Sequence, residues 1–174
     1  MKTFILKIAI VIVVFVTAIW LIGFLNQDSP SLPLSSFRLS PYEESISVGQ
    51  EFKVDIILKT DQEINGADSI ISFDSRLLEV IDIQPGNLFP FYPRKNINLE
   101  KDRIEITGVK SKKDGQVFTQ PLIFATIVFK GKTPGIAKVD FTFYKGKTIG
   151  STIVKAEGSE NILEKVYNGK YEIK

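Results

Sequence analysis

The chain has no cysteine and no histidine. Lacking thiolate and imidazole, it cannot run Ser-His-Asp or Cys-His catalysis or build the usual zinc sites, and no disulfide staples its fold. Neither sign of charge dominates: the formal net charge is +2, and setting aside Lys2 and Lys7 at the N-terminus leaves 20 basic residues against 20 acidic. With no clustered basic face, no nucleic-acid partner is expected. An amphipathic helical pattern is missing, which rules out parallel α/β folds, and so is any internal repeat. Asp74, Asp82 and Asp140 do not form a DxDxDG-like calcium loop, so no metal site is assigned. Carboxylates suffice in principle for glycoside hydrolysis, but no spacing singles out a pair. The chain is therefore not read as an enzyme, and no catalytic residue is named.

What is present points to β structure. Thirteen Phe, eight Pro and twelve Gly in 174 residues describe a turn-rich protein whose sheets pack on aromatic side chains. The exception is the N-terminus, where Ile8 to Leu25 is apolar apart from Thr17 and Gly23. A helix from Phe4 to Leu25 would span roughly 33 Å, enough for a hydrocarbon core of about 30 Å. Residues 1–25 are read as one uncleaved transmembrane anchor, because a cleaved leader has a shorter apolar region and a small-x-small site that WLIGFLNQD does not offer. Lys2 and Lys7 before the run and Asp28 after it put the N-terminus in the cytoplasm and the rest outside the cell, with Trp20 near the outer interface. Residues 26–36, NQDSPSLPLSS, form a Ser/Pro-rich linker. Residues 37–174 are the folded domain, large enough to be held by its core alone.

Period-two alternation runs through that domain. Phe37 and Leu39 share a side. In EFKVDIILKT, Phe52, Val54, Ile56 and Leu58 point one way and Lys53, Asp55 and Lys59 the other. The stretch GADSIISFDSRLLEVIDIQPG, Gly66 to Gly86, reads as two strands meeting at a corner. Ser69, Ile71 and Phe73 are buried, Asp68, Ile70 and Ser72 face water, and Asp74 and Ser75 turn the chain. Arg103 to Val109 puts Ile104 and Ile106 inward and Glu105, Thr107 and Val109 outward. Ala125, Ile127 and Phe129 share a face, as do Ala137, Val139, Phe141 and Phe143, and Thr133-Pro134-Gly135 is expected to join these two strands as a hairpin. Asn168-Gly169 suits a turn needing positive φ before a last strand, Lys170 to Ile173. About nine such strands with regular turn signals indicate a two-layer sandwich.

Three segments together resemble the cohesin domain: the aromatic-Asp-leucine pair-strand-Gly run within Gly66–Gly86, the Ser45-x-x-x-Gly49 approach to a strand starting at Phe52, and FATIVFKGKTPGIAKVDF, Phe124 to Phe141. The resemblance covers about Phe37 to Ile173 and implies a jelly-roll β-sandwich. It also implies a non-catalytic receptor for a dockerin-like protein, with no cofactor of its own and calcium carried by the dockerin. By position in the family, Asp68 falls where an acidic or amide residue contacts the dockerin, with Ile70 and Ser72 on its face. Glu105, Thr107 and Val109 would extend the surface, and Glu100 would join from the preceding strand. Gly66 and Gly108 depart from the family pattern. Independently of the resemblance, Ile70 and Val109 are apolar residues on faces marked as exposed, as a recognition patch requires.

Two other readings come from different residues. Phe89, Phe91 and Tyr92, set between Pro90 and Pro93, form either a stacking platform for polysaccharide or a cap on the open end of the sandwich. Lys110, Lys112 and Lys113 lie in a polar turn whose charge is expected to face solvent.

Overall fold

The computed structural model describes residues 35–110 and 116–174. The expected anchor, Trp20 and nearly all of the linker lie outside these residues, as do Lys112 and Lys113. Among the described residues no helix is long and apolar enough to cross a membrane. They form eleven strands: β1 Ser36–Ser40, β2 Glu43–Ile46, β3 Glu51–Phe73, β4 Leu78–Pro85, β5 Phe91–Asn98, β6 Arg103–Val109, β7 Gln116–Gly131, β8 Gly135–Phe141, β9 Thr152–Lys155, β10 Lys165–Tyr167 and β11 Gly169–Ile173. A 3-10 turn, Leu99–Lys101, links β5 to β6.

The described residues form an all-β sandwich, and β3 belongs to both of its layers. The N-terminal half of β3 pairs with β1 and β7, antiparallel to both, and β7 pairs onward with β4. Its C-terminal half pairs with β6 on one side and with β9 and then β8 on the other. Inward-facing residues are even-numbered from Phe52 to Ile64 and odd-numbered from Ala67 to Phe73. The parity changes at a register shift between Ile64 and Gly66. Such an irregularity lets one strand leave its first neighbours and keep an apolar face inward against new ones.

Aromatic side chains join the layers. Phe37 on β1 stacks on Phe141 of β8 with ring centroids 5.6 Å apart, Phe52 meets Tyr171 of β11 at 5.2 Å, and Phe73 meets Phe129 of β7 at 5.9 Å. Phe37, Phe129 and Tyr171 are fully buried. Burying a large apolar side chain is worth about 1.5–3 kcal/mol. This core takes the place of disulfides.

The expected corner after Phe73 is present: the amides of Leu77 and Leu78 bond the carbonyl of Asp74, whose side chain takes the Arg76 amide. The chain then enters β4 in the other layer. Three expectations are corrected. Eleven strands replace about nine, because β2 and β10 are short strands paired in parallel with distant β11 and β1. Thr133-Pro134-Gly135 is not a hairpin, since β7 pairs with β3 and β4 while β8 pairs with β3 and β11. Nor is Asn168-Gly169 a positive-φ turn. Gly169 is needed because a Cβ there would lie 2.5 Å from the Tyr171 hydroxyl, and Asn168 accepts a hydrogen bond from the Phe141 amide where the chain passes from β10 to β11. Ser35 and Ser36, placed in the linker by composition, are buried, with Ser35 Oγ 2.9 Å from Thr60 Oγ1.

Candidate functional site

The outward face of β9, β3, β6 and β5 assembles most of the residues singled out in the sequence. Register places Val154, Gly66, Val109 and Phe91 in one cross-strand row, and Thr152, Asp68, Thr107 and Arg94 in the next. Ile70, Glu105 and Asn96 form a third row, and Ser72, Arg103 and Asn98 a fourth, with Asp140 of β8 opposite Ser72. Inward neighbours on the same strands, Ala67, Ser69, Ile71, Ile104 and Ile106, are buried. Alternation therefore sorted this surface correctly: Asp68, Ile70, Ser72, Glu105, Thr107 and Val109 are all at least partly exposed. Glu100 does not belong with them. It is exposed in the 3-10 turn beyond the end of β5, because the strand ends at Asn98, whose side chain accepts from the Lys101 amide.

Asp68 is held from both sides. The Thr107 hydroxyl donates to its Oδ1 at 2.5 Å and the Thr152 hydroxyl to its Oδ2 at 3.2 Å. In the next row Glu105 lies between Arg94 Nη1 at 3.4 Å and Arg103 Nε at 3.2 Å, the latter an ion contact without hydrogen-bond alignment. These pairs are part-exposed, so each adds at most about 1 kcal/mol to stability. Their larger effect is to fix where charge sits: a carboxylate flanked by hydroxyls at one level, two guanidiniums around one carboxylate at the next.

Ile70 stands where the neighbour of β3 changes from β9 to β8. The gap in the ladder is filled by Ser151, whose hydroxyl accepts from the Ile70 amide at 2.9 Å and donates to its carbonyl at 3.1 Å, while the Thr142 amide bonds the same carbonyl at 2.8 Å. The backbone beneath the half-exposed Ile70 side chain is thus fully paired.

The three aromatic residues do not share a surface. Phe89 is 4% exposed and packs edge-on against Phe124, and the Tyr92 hydroxyl donates to the Phe124 carbonyl at 2.7 Å. Burial pushes the Tyr92 phenol up to about 12. Only Phe91, 56% exposed, presents its ring to solvent, at the edge of the face beside Val109. Two of the rings thus cap the core, and stacking on a sugar would fall to Phe91 alone.

Sequence reasoning did not name Arg94, Asn96, Arg103, Thr152 or Val154 as part of this surface. Arg103 could have been found by extending the Glu105–Val109 alternation one step back; the others required the pairing. Among the described residues no group of His, Cys, Asp and Glu could hold a metal ion. The face offers apolar contact, hydrogen bonds and charge, the chemistry of recognition.

Comparison with known proteins agrees with this architecture. The family model for the cohesin domain matches residues 41–169. Among solved structures, the chain is similar to the OlpC cohesin–dockerin complex of Clostridium thermocellum, described as type I, with a TM-score of 0.64 and 16% identity over 86% of this chain and 99% of that one. The type I OlpA complex of the same organism has a TM-score of 0.63 and 21% identity over 80% and 99%. A non-cellulosomal cohesin of the archaeon Archaeoglobus fulgidus has a TM-score of 0.57 and 16% identity over 80% and 91%. No curated protein matches the chain.

Proposed function

The chain belongs to the cohesin family, and on that premise we propose that it binds a dockerin-like protein through the outward face of β9, β3, β6 and β5 and tethers that partner at the cell surface. Cohesin domains are non-catalytic and carry no cofactor; calcium is expected on the dockerin. The observation that carries the reading is the cross-strand register, which gathers Ile70, Val109, Val154 and Phe91 among Asp68, Thr107, Glu105 and Arg94 on one open sheet. Apolar groups interleaved with ordered polar ones are what a specific protein interface needs at its centre. The OlpC and OlpA structures, both cohesin–dockerin complexes, support the same partner class.

Titration calorimetry of the chain against calcium-loaded dockerins encoded in the same genome tests the proposal. Saturable binding by at least one, lost on Asp68→Lys, is expected. Silence from all of them removes it. Tethering rests on residues 1–25: the protein should stay in the membrane fraction through an alkaline carbonate wash, and protease added to intact cells should reach the domain. Release by the wash would remove the anchor from the account.

A further inference from the structure

The geometry points to Thr152 on β9 as a positioning residue for Asp68, an inference that rests on the proposed partner-binding role of this face. Asp68 lies between two cross-strand threonines, and their hydroxyls reach different carboxylate oxygens, Thr107 to Oδ1 and Thr152 to Oδ2. Two donors arriving from opposite sides fix both the χ1 rotamer and the plane of the carboxylate, where one alone would leave it free to swing. An ionised carboxylate has about four acceptor positions. The threonines occupy two, so each oxygen keeps one acceptor position for a donor brought by the partner.

Thr152 is only 3% exposed, too little to serve as a contact itself, and Asp68 is the one hydrogen-bond partner of its hydroxyl among the described residues. Its influence on binding runs through the acid. Immobilising a side chain on association costs conformational entropy, so losing the preordered carboxylate should weaken binding by about fivefold.

The experiment uses the full chain in detergent micelles with a calcium-loaded dockerin as probe. Thr152→Val, which keeps the shape and deletes the hydroxyl, should bind about fivefold more weakly, and Thr152→Ser should restore affinity. In an Asp68→Ala background, Thr152→Val should change nothing further; a loss of equal size there would overturn the assignment, as would wild-type affinity in Thr152→Val itself. Three-bond couplings of the Asp68 side chain in the free protein should report one χ1 rotamer in the wild type and averaging in Thr152→Val. If Thr152→Val does not fold, Thr152→Ala carries the same comparison. Should no dockerin bind the wild type, the binding proposal fails by itself, and the couplings still decide this one: a wild-type Asp68 that already averages sinks it.

Discussion

Substituting Gly108 by alanine should destabilise the domain, against the general rule that alanine is better tolerated in a strand than glycine. Position 108 faces inward from β6 between Thr107 and Val109 of the outward face. A Cβ there would lie 2.5 Å from Phe89 Cδ2 and 2.8 Å from Phe124 Cε2, where carbon atoms in contact sit roughly 3.5–4.0 Å apart. The Phe89 ring would have to retreat by about 1 Å. It has nowhere to go, since it packs edge-on against both Tyr92 and Phe124 and is almost sealed from solvent. Overpacking of this kind costs about 1–3 kcal/mol. Stiffening the unfolded chain returns about 0.4–1 kcal/mol, leaving a net loss of about 1–2 kcal/mol. Urea denaturation read by fluorescence measures it. Phe89→Leu, costly alone, removes the colliding ring atoms, so the Gly108→Ala penalty should shrink in the double variant. A Gly108→Ala protein as stable as the wild type, or equal penalties in both backgrounds, would show that the rings do not rest on this backbone.

Three further outcomes follow from the same structure. Ser69→Ala should raise stability by up to about 1 kcal/mol, because the Ser69 hydroxyl is buried in the core without a partner and its desolvation is uncompensated; a thermal melt that shifts down would point to an unseen partner. Burial raises the Tyr92 phenol from 10.0 to about 12, and burial with the charge of Glu44 raises that of Tyr171. A folded value above the unfolded one means stability that is complete below pH 10 and is lost as pH climbs from 10 towards 12, so unfolding free energy should fall across that window and fall less in Tyr92→Phe. A flat profile there contradicts the burial. Ile70→Lys should leave the melting temperature within a few degrees while weakening dockerin binding by tenfold or more, roughly the 1.4 kcal/mol or greater of a central contact; unchanged affinity would take Ile70 out of the interface.

Much of the candidate face could be read from alternation alone. Asp68, Ile70 and Ser72 emerged on one side of β3, and Glu105, Thr107 and Val109 on one side of β6, because period two holds wherever one sheet face is buried. What escaped were features set by pairing between distant segments. Nothing local signals that Glu51 to Phe73 is one strand, since the parity change near Gly66 looks like the end of one strand and the start of another. Arg94 and Asn96 were hidden in a proline-broken stretch whose register comes from β6. Thr152 and Ser151 are polar residues in buried positions, satisfied by Asp68 and by the Ile70 backbone more than eighty residues earlier, and a sequence pattern places such residues outside. The Thr133–Gly135 turn misled for the same reason: its composition suits a hairpin, but both flanking strands find better partners elsewhere.

The account depends on one surface, and amide hydrogen exchange of the full chain with and without a calcium-loaded dockerin tests it directly. New protection should appear along Ile153–Lys155, Gly66–Ser72, Arg103–Val109 and Phe91–Asn98, with β1, β4 and β7 in the opposite layer unchanged. Protection confined to that opposite layer, or to strand ends far from Asp68, would contradict it.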